Sequence, residues 1–211
     1  MKTAMRKYEF TGEVKTIRDG TVLHRIRALI DIDLGWRVVK AGELGGWLEK
    51  GTNLSHFGKC WVYGDAKVYG NARICGHAEV WGNAEVCDYA KVYGDAEVYC
   101  DAKVYGYAKI CGNAIVWGDA EVYGDSKVYG GAMVFGDAEV YGDSKVYGGA
   151  MVCGDAEVYG DSKVYGGAMV CGDAEVYGDT KIGGDAIVRG INHIADDACG
   201  SWIMKRFTKM E

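Results

Sequence analysis

The sequence predicts an all-β solenoid, a three-sided parallel β-helix, from two nested periods and a repeated corner. From Val62 to Val188 every sixth residue is Val or Ile, 22 positions in succession. Residues 118–135, 136–153 and 154–171 are one 18-residue string that differs only at Phe135 against Cys153 and Cys171. A small residue lies two places before each later aliphatic one, Ala in 17 of 21 cases and otherwise Ser126, Ser144, Ser162 or Thr180. Gly stands two places after it, replaced only by Asp88 and Cys100.

Each element of that fold follows from the hexad Val-Tyr-Gly-Asp-Ala-Lys. A helix would repeat its apolar residues at three and four, so a strict six excludes one continuous helix. In Ala-Lys-Val-Tyr, strand alternation sends Ala and Val inward and Lys and Tyr outward. Gly-Asp then turns the chain, and glycine supplies backbone angles that other residues resist. Four residues of strand bury too little alone, so successive coils must stack. Eighteen is three hexads, hence three sides. Residues 62–189 make about seven coils, each rising ~4.8 Å, a rod roughly 34 Å long.

Composition agrees. The 211 residues carry a net charge of −6, 49% hydrophobic residues, 33 Gly and no Pro. Collagen is excluded without proline and without glycine at every third place, and the hydrophobic content argues against disorder. No apolar run reaches the roughly 18 residues of a membrane span. The opening residues, Met1 to Lys7, lack the apolar core of a signal peptide. Eight Cys without a zinc-like CxxC pair point to free thiols and a reducing, cytoplasmic compartment.

The hexad, with its aliphatic residue and its small residue four places on, resembles that of the left-handed parallel β-helix superfamily of hexapeptide-repeat proteins. The resemblance covers residues 62–189, and it alone implies the left hand. Ahead of the repeats, Arg25, Arg27, Ala28, Leu29, then Gly45-Gly46-Trp47, Leu54-Ser55, Gly58, Cys60 and Trp61 resemble the lead-in of uncharacterised hexapeptide-repeat proteins of bacteria and their phages. That likeness implies a bacterial or prophage setting.

An open β-helix must be capped at both ends. Residues 1–61 are expected to form an N-terminal β cap. Within it 13–18 and 21–30 read as a hairpin around a two-residue Asp19-Gly20 turn, with Val22, His24, Ile26, Ala28 and Ile30 on one face. Residues 190–211 abandon the hexad; Trp202, Ile203, Phe207 and Met210 suit a short helical cap.

The outward residues sort into three walls. One side carries Lys67, Glu85, Lys103, Glu121, Glu139, Glu157 and Glu175, the second Arg73, Lys91, Lys109, Lys127, Lys145, Lys163 and Lys181. The third begins with Glu79 and Glu97, then continues as Ile115, Met133, Met151, Met169 and Ile187 beside Trp117, Phe135, Cys153 and Cys171. A contiguous apolar patch of this size marks a contact surface, and a two-fold homo-oligomer is the commonest use of one. Residues 190–211 folding back, or a foreign protein such as a host defence factor, are the other occupants. The lysine wall with its tyrosines admits nucleic acid as an alternative to plain solvation. A Glu-to-Lys match between prisms would be a route to filaments. The corner aspartates, Asp119 to Asp173 and Asp125 to Asp179, are expected to cap turn amides.

Catalysis finds little footing. Many hexapeptide-repeat proteins are acyltransferases with a catalytic His on a loop that breaks the coils; here no insertion interrupts the 22 hexads, and His77 occupies a turn slot. Three converging His for zinc are not available from His24, His56, His77 and His193, and no phosphate loop or nucleophile elbow occurs. No cofactor, metal or catalytic residue is expected. The reading is a non-catalytic structural or interaction solenoid that self-associates through Ile115, Trp117, Met133, Phe135, Met151, Cys153, Met169, Cys171 and Ile187. An inhibitor of a host protein and an acyltransferase-like enzyme are the alternatives.

Overall fold

The structure, a computed structural model, describes residues 6–195. All regular structure there is β-strand. Every Val or Ile of the hexad series is buried, at most 1% exposed, and the small residue before it is buried too, except half-buried Ala186. Residues eighteen apart are direct partners on all three sides: Val86 with Val104, Val92 with Ile110, Val98 with Val116. Each rung donates to the next, as Tyr123 N–H does to Val140 O at 3.0 Å and Lys127 N–H to Ser144 O at 2.9 Å. The result is a three-sided parallel β-helix around one continuous aliphatic core.

The corners show why glycine recurs. Gly142 holds φ at +70°, and a Cβ there would lie 2.9 Å from the backbone N of Gly160 in the next coil. Left-handed backbone and a close neighbouring corner both select glycine. Asp88 and Cys100 adopt φ of 58° and 60° regardless. Asp88 gains a bond in exchange, its Oδ2 accepting the Gly106 N–H at 3.0 Å.

The parallel ladder is longer than the hexads mark, about eight turns rather than seven. Strand β1 (Tyr8–Thr16) and strand β2 (Val22–Ala28) form the antiparallel hairpin, and the two-residue strands β3 (Ile32–Asp33) and β4 (Val38–Val39) form a second, smaller one. Strand β5 (Leu44–Leu48) is antiparallel to β2 on one edge and parallel to the rung of Lys67 and Val68 on the other. Leu48, then Leu54 bridging to Ile74, then Val62 therefore supply the three sides of a first turn. It departs from eighteen because its third corner, residues 55–60, carries two extra residues. At the far end His193–Ala195 continues the acidic side as one more parallel rung beneath Glu175–Tyr177. The expected helix over 202–210 lies outside the described residues.

The hairpin differs from expectation in two details. Its connection spans residues 17–21, with Gly20 N–H bonding Ile17 O and Asp19 Oδ1 accepting the Thr21 N–H at 2.8 Å, so the turn is wider than two residues. Val22 is exposed and Leu23 fully buried outside the core cluster, whereas Ile26 and Ala28 join the core as expected. The pairing with β5 shifts register between Arg25 and Arg27, the extra residue lying in β5.

Candidate interaction surfaces

The apolar wall is a single in-register column. Ile115, Met133, Met151, Met169 and Ile187 are successive Cα partners, with Phe135, Cys153, Cys171 and Arg189 in the column beside them. Trp117 stacks on Phe135 at 4.3 Å, planes 5° apart, and the ladder climbs through Tyr99 and Trp81 to Tyr63. Ile187 is 40% exposed and the other eight predicted contact residues are half-buried. All nine thus lie together on one side. Cys153 and Cys171 are free thiols opposite each other; burial and the neighbouring thiol push Cys153 above its usual value.

One feature of this wall escaped the sequence reading. At the corner leading into the other two walls each 18-residue copy places Asp, but into this one it places Gly131, Gly149 and Gly167. None of these has a positive φ. A Cβ on Gly131 would meet Gly148 O at 3.4 Å, an ordinary contact, so the backbone does not demand glycine there. The consequence is a low, uncharged margin along the apolar column. Its signal was the Gly-Gly pair standing where Gly-Asp recurs elsewhere.

On the basic wall Lys109, Lys127, Lys145, Lys163 and Lys181 are in register. With Asp125, Asp143, Asp161 and Asp179 they line an open groove of about 590 Å³. Tyr129, Tyr147 and Tyr165 stack on one another at 4.9 and 5.3 Å. Rings so stacked cover each other's faces, so the ladder offers edges rather than platforms for a nucleic-acid base.

On the acidic wall Tyr105, Tyr123, Tyr141, Tyr159 and Tyr177 stack likewise. Tyr105, Tyr123 and Tyr141 each donate a hydroxyl at 2.8 Å to the glutamate one rung on, Glu121, Glu139 and Glu157. Burial, then the bonded carboxylate, hold these phenols well above the usual range. Higher on the same wall charges pair within the rod: Lys67 with Glu85 at 2.5 Å, Lys103 with Glu121 at 2.7 Å. Among the described residues Glu139 and Glu157 form no ion pair, and neither do Lys127, Lys145 and Lys163. The corner aspartates also depart from expectation. Asp119, Asp137, Asp143 and Asp155 have exposed side chains that cap no turn amide among the described residues. At Asp143 the corner bond is made by the main chain, its N–H donating to Gly160 O at 2.9 Å.

The cap pins itself to the upper end of the apolar side. Trp36, between β3 and β4, donates Nε1–H to both oxygens of Glu79, at 3.1 and 3.2 Å, while Tyr63 donates its hydroxyl to the same carboxylate at 2.9 Å. Glu79 is only 7% exposed. Arg37 lies over the rings of Trp36 and Tyr63. On the next rung, burial and the Glu79 charge push the Glu97 carboxyl up. The enlarged corner of the first turn is plugged by Lys7, whose buried Nζ donates to Cys60 O at 2.6 Å and Cys60 Sγ at 3.2 Å. Burial holds the Lys7 amine below its usual value, against the pull of Cys60.

The histidines are dispersed. His56 Nδ1 accepts the Lys7 N–H, His77 pairs with Asp95 at 3.0 Å and His193 with Glu175 at 2.9 Å. Among the described residues no group of three or more His, Cys, Asp or Glu is placed to hold a metal, and no helix is long and apolar enough to cross a membrane. No protein-family model and no curated protein matches the chain.

Proposed function

We propose that this chain is a non-catalytic β-solenoid of prophage type that acts as a rigid interaction rod, two copies meeting through the apolar wall. The observation that carries this is the column Ile115, Met133, Met151, Met169, Ile187, which reads the same in both directions. A two-fold axis lying across the wall at Met151 sets antiparallel rods face to face. Each rod then lays Met133 against Met169 of the second copy and Ile115 against its Ile187. Such self-complementarity is what an isologous interface requires. The same axis sets Arg189 near Trp117 of the second copy, a cation–π arrangement, and aligns the glycine margins for close approach. Methionine suits an interface built from repeats because it packs adaptably. The uninterrupted hexads, and histidines engaged singly at separate places, support a role without catalysis. Free thiols at every described cysteine fit a reducing cytoplasm.

Sedimentation equilibrium tests the interface. The wild type is expected to be a dimer at micromolar concentration, and Met151→Lys to weaken the dimer about 100-fold or more with an unchanged circular dichroism spectrum, as loss of a central apolar contact does. Mild oxidation should link the copies through Cys153, which the axis sets against itself; Cys153→Ser should abolish the link and Cys171→Ser preserve it. A strictly monomeric wild type would remove the reading.

A further inference from the structure

The two charged walls fit each other as closely as the apolar wall fits itself. Both are ladders of one pitch, because both ride on the same coil: neighbouring rings are 4.9 Å apart from Tyr129 to Tyr147 on the basic side and from Tyr123 to Tyr141 on the acidic side. Along the chain, the basic side presents its outward columns in the order Asp125, Lys127, Tyr129, and the acidic side in the order Asp119, Glu121, Tyr123. Two identical rods laid parallel wind in the same sense, so where their sides meet the chains run in opposite directions across the contact. The column order of one is thereby reversed against the other. Lysine then faces glutamate in the middle, the tyrosines of the basic side face the Asp119 column, and the Asp125 column faces the tyrosines of the acidic side. This matching follows from winding alone and holds for either hand.

We infer that the lysine wall of one copy docks on the glutamate wall of a second copy lying parallel to it. Three observations on the chain favour this occupant over a foreign polyanion. Among the described residues Lys127, Lys145 and Lys163 on one wall and Glu139 and Glu157 on the other make no ion pair, whereas the upper rungs of the acidic wall pair Lys with Glu internally. The glutamates are held in place, since Tyr123 and Tyr141 each donate to one carboxylate oxygen, and the other has no hydrogen bond among the described residues. The hydroxyls of Tyr129, Tyr147 and Tyr165 form no hydrogen bond among the described residues and would meet the Asp119 column. Asp143 and its ladder mates also place negative charge beside the lysines, which lowers their attraction for nucleic acid or polyphosphate but lies opposite tyrosine in the parallel-rod contact. A contact between unlike sides does not satisfy itself in a pair, so it continues into a ring or an open row of rods. The apolar wall is untouched by it, and both contacts can form in one assembly.

The test is made in Met151→Lys, where the apolar contact is removed, so failure of one interface does not mask the other. At about 0.03 M salt this variant is expected to sediment as species larger than a dimer, and to revert to monomer by about 0.5 M, where the Debye length is only a few ångströms. Adding Glu139→Lys with Glu157→Lys should abolish association, as should adding Lys145→Glu with Lys163→Glu. Mixing the two reversed proteins in equal amounts should restore it, because each then offers the wall the other lacks. Unchanged circular dichroism shows that both fold, and the first reversal leaves each new Lys beside one glutamate, Glu121 or Glu175. Association that survives both reversals overturns the inference. So does a monomer at low salt, and so does a lysine wall that gathers rods only when inorganic polyphosphate is added.

Discussion

The rungs from Val62 to Trp117 and those from Gly118 to Cys171 share one core and one corner design, yet face outward differently. In the upper rungs neighbours pair across the coils: Lys67 with Glu85 and Lys103 with Glu121 as ions, His77 with Asp95 and Asn83 with Asp101 by hydrogen bonds. In the lower rungs each side carries one chemistry, and like charges stack at the coil spacing, which costs energy that water and salt only partly screen. Regular structure is more extensive where the copies repeat: Lys127–Gly130, Met133–Gly136, Lys145–Gly148 and Met151–Gly154 pair over four residues, against two in Lys91–Val92 or Glu97–Val98. The upper half shows that the fold tolerates mixed walls. Sorted walls in the lower half are therefore not required by the coil.

The largest expected effect separates what the coil needs from what the wall uses. Gly142→Val forces a β-branched residue to φ near +70° and sets its Cβ against Gly160, so about 3 kcal/mol or more of stability in chemical denaturation should be lost. Gly131→Ala, in the margin of the apolar wall, should change stability by no more than about 0.5 kcal/mol yet weaken the proposed dimer by holding the copies apart. Equal losses at the two positions would mean that Gly131 serves the backbone after all.

A smaller effect lies inside the core. Ser144 is fully buried and its Oγ has no hydrogen-bond partner, whereas Ser162, one copy later, donates to Tyr159 O at 2.7 Å. Removing an unsatisfied buried hydroxyl should stabilise by about 1 kcal/mol, and removing a satisfied one should not. Ser144→Ala is thus expected to raise the denaturation midpoint and Ser162→Ala to leave it level or lower it. A common gain would show that both hydroxyls are merely tolerated in an alanine column.

How much of this was visible in the sequence follows from which contacts are local. The hexad and the 18-residue copies specify side-chain direction and rung spacing, so the core column and all nine residues of the apolar wall could be placed in register beforehand. Leu48 and Leu54 keep the six-residue step, but Leu54 to Val62 is eight, and that single enlarged corner hid the first turn. Nothing around Lys7 marks it as a plug for a corner some fifty residues on, and the Trp36–Glu79 latch spans 43 residues. At Asp119 and Asp143 the local turn rule does not hold, because a carbonyl of the next coil already accepts the corner amide.

The smallest effect concerns Glu79 and Glu97, like charges stacked on neighbouring upper rungs. Glu79 is held by Trp36 and Tyr63, and Glu97, on the rung below, faces both burial and that charge. Its folded pKa is raised above the unfolded value, so at neutral pH the charged side chain destabilises the fold. Glu97→Gln should remove that cost, a gain of about 0.5 kcal/mol or less for a partly exposed group. The gain should be full above the raised folded pKa and shrink as pH falls through it toward the ordinary carboxylate value. Below that both states are protonated, and the difference is gone. The direction comes from the folded state holding its proton more tightly than the unfolded chain. Urea midpoints of the two proteins at pH 7, 5 and 3 should therefore converge on acidification. Divergence would show that Glu97 is held by a partner in its charged form, and that the upper half of this wall neutralises itself as completely as the acidic side above it.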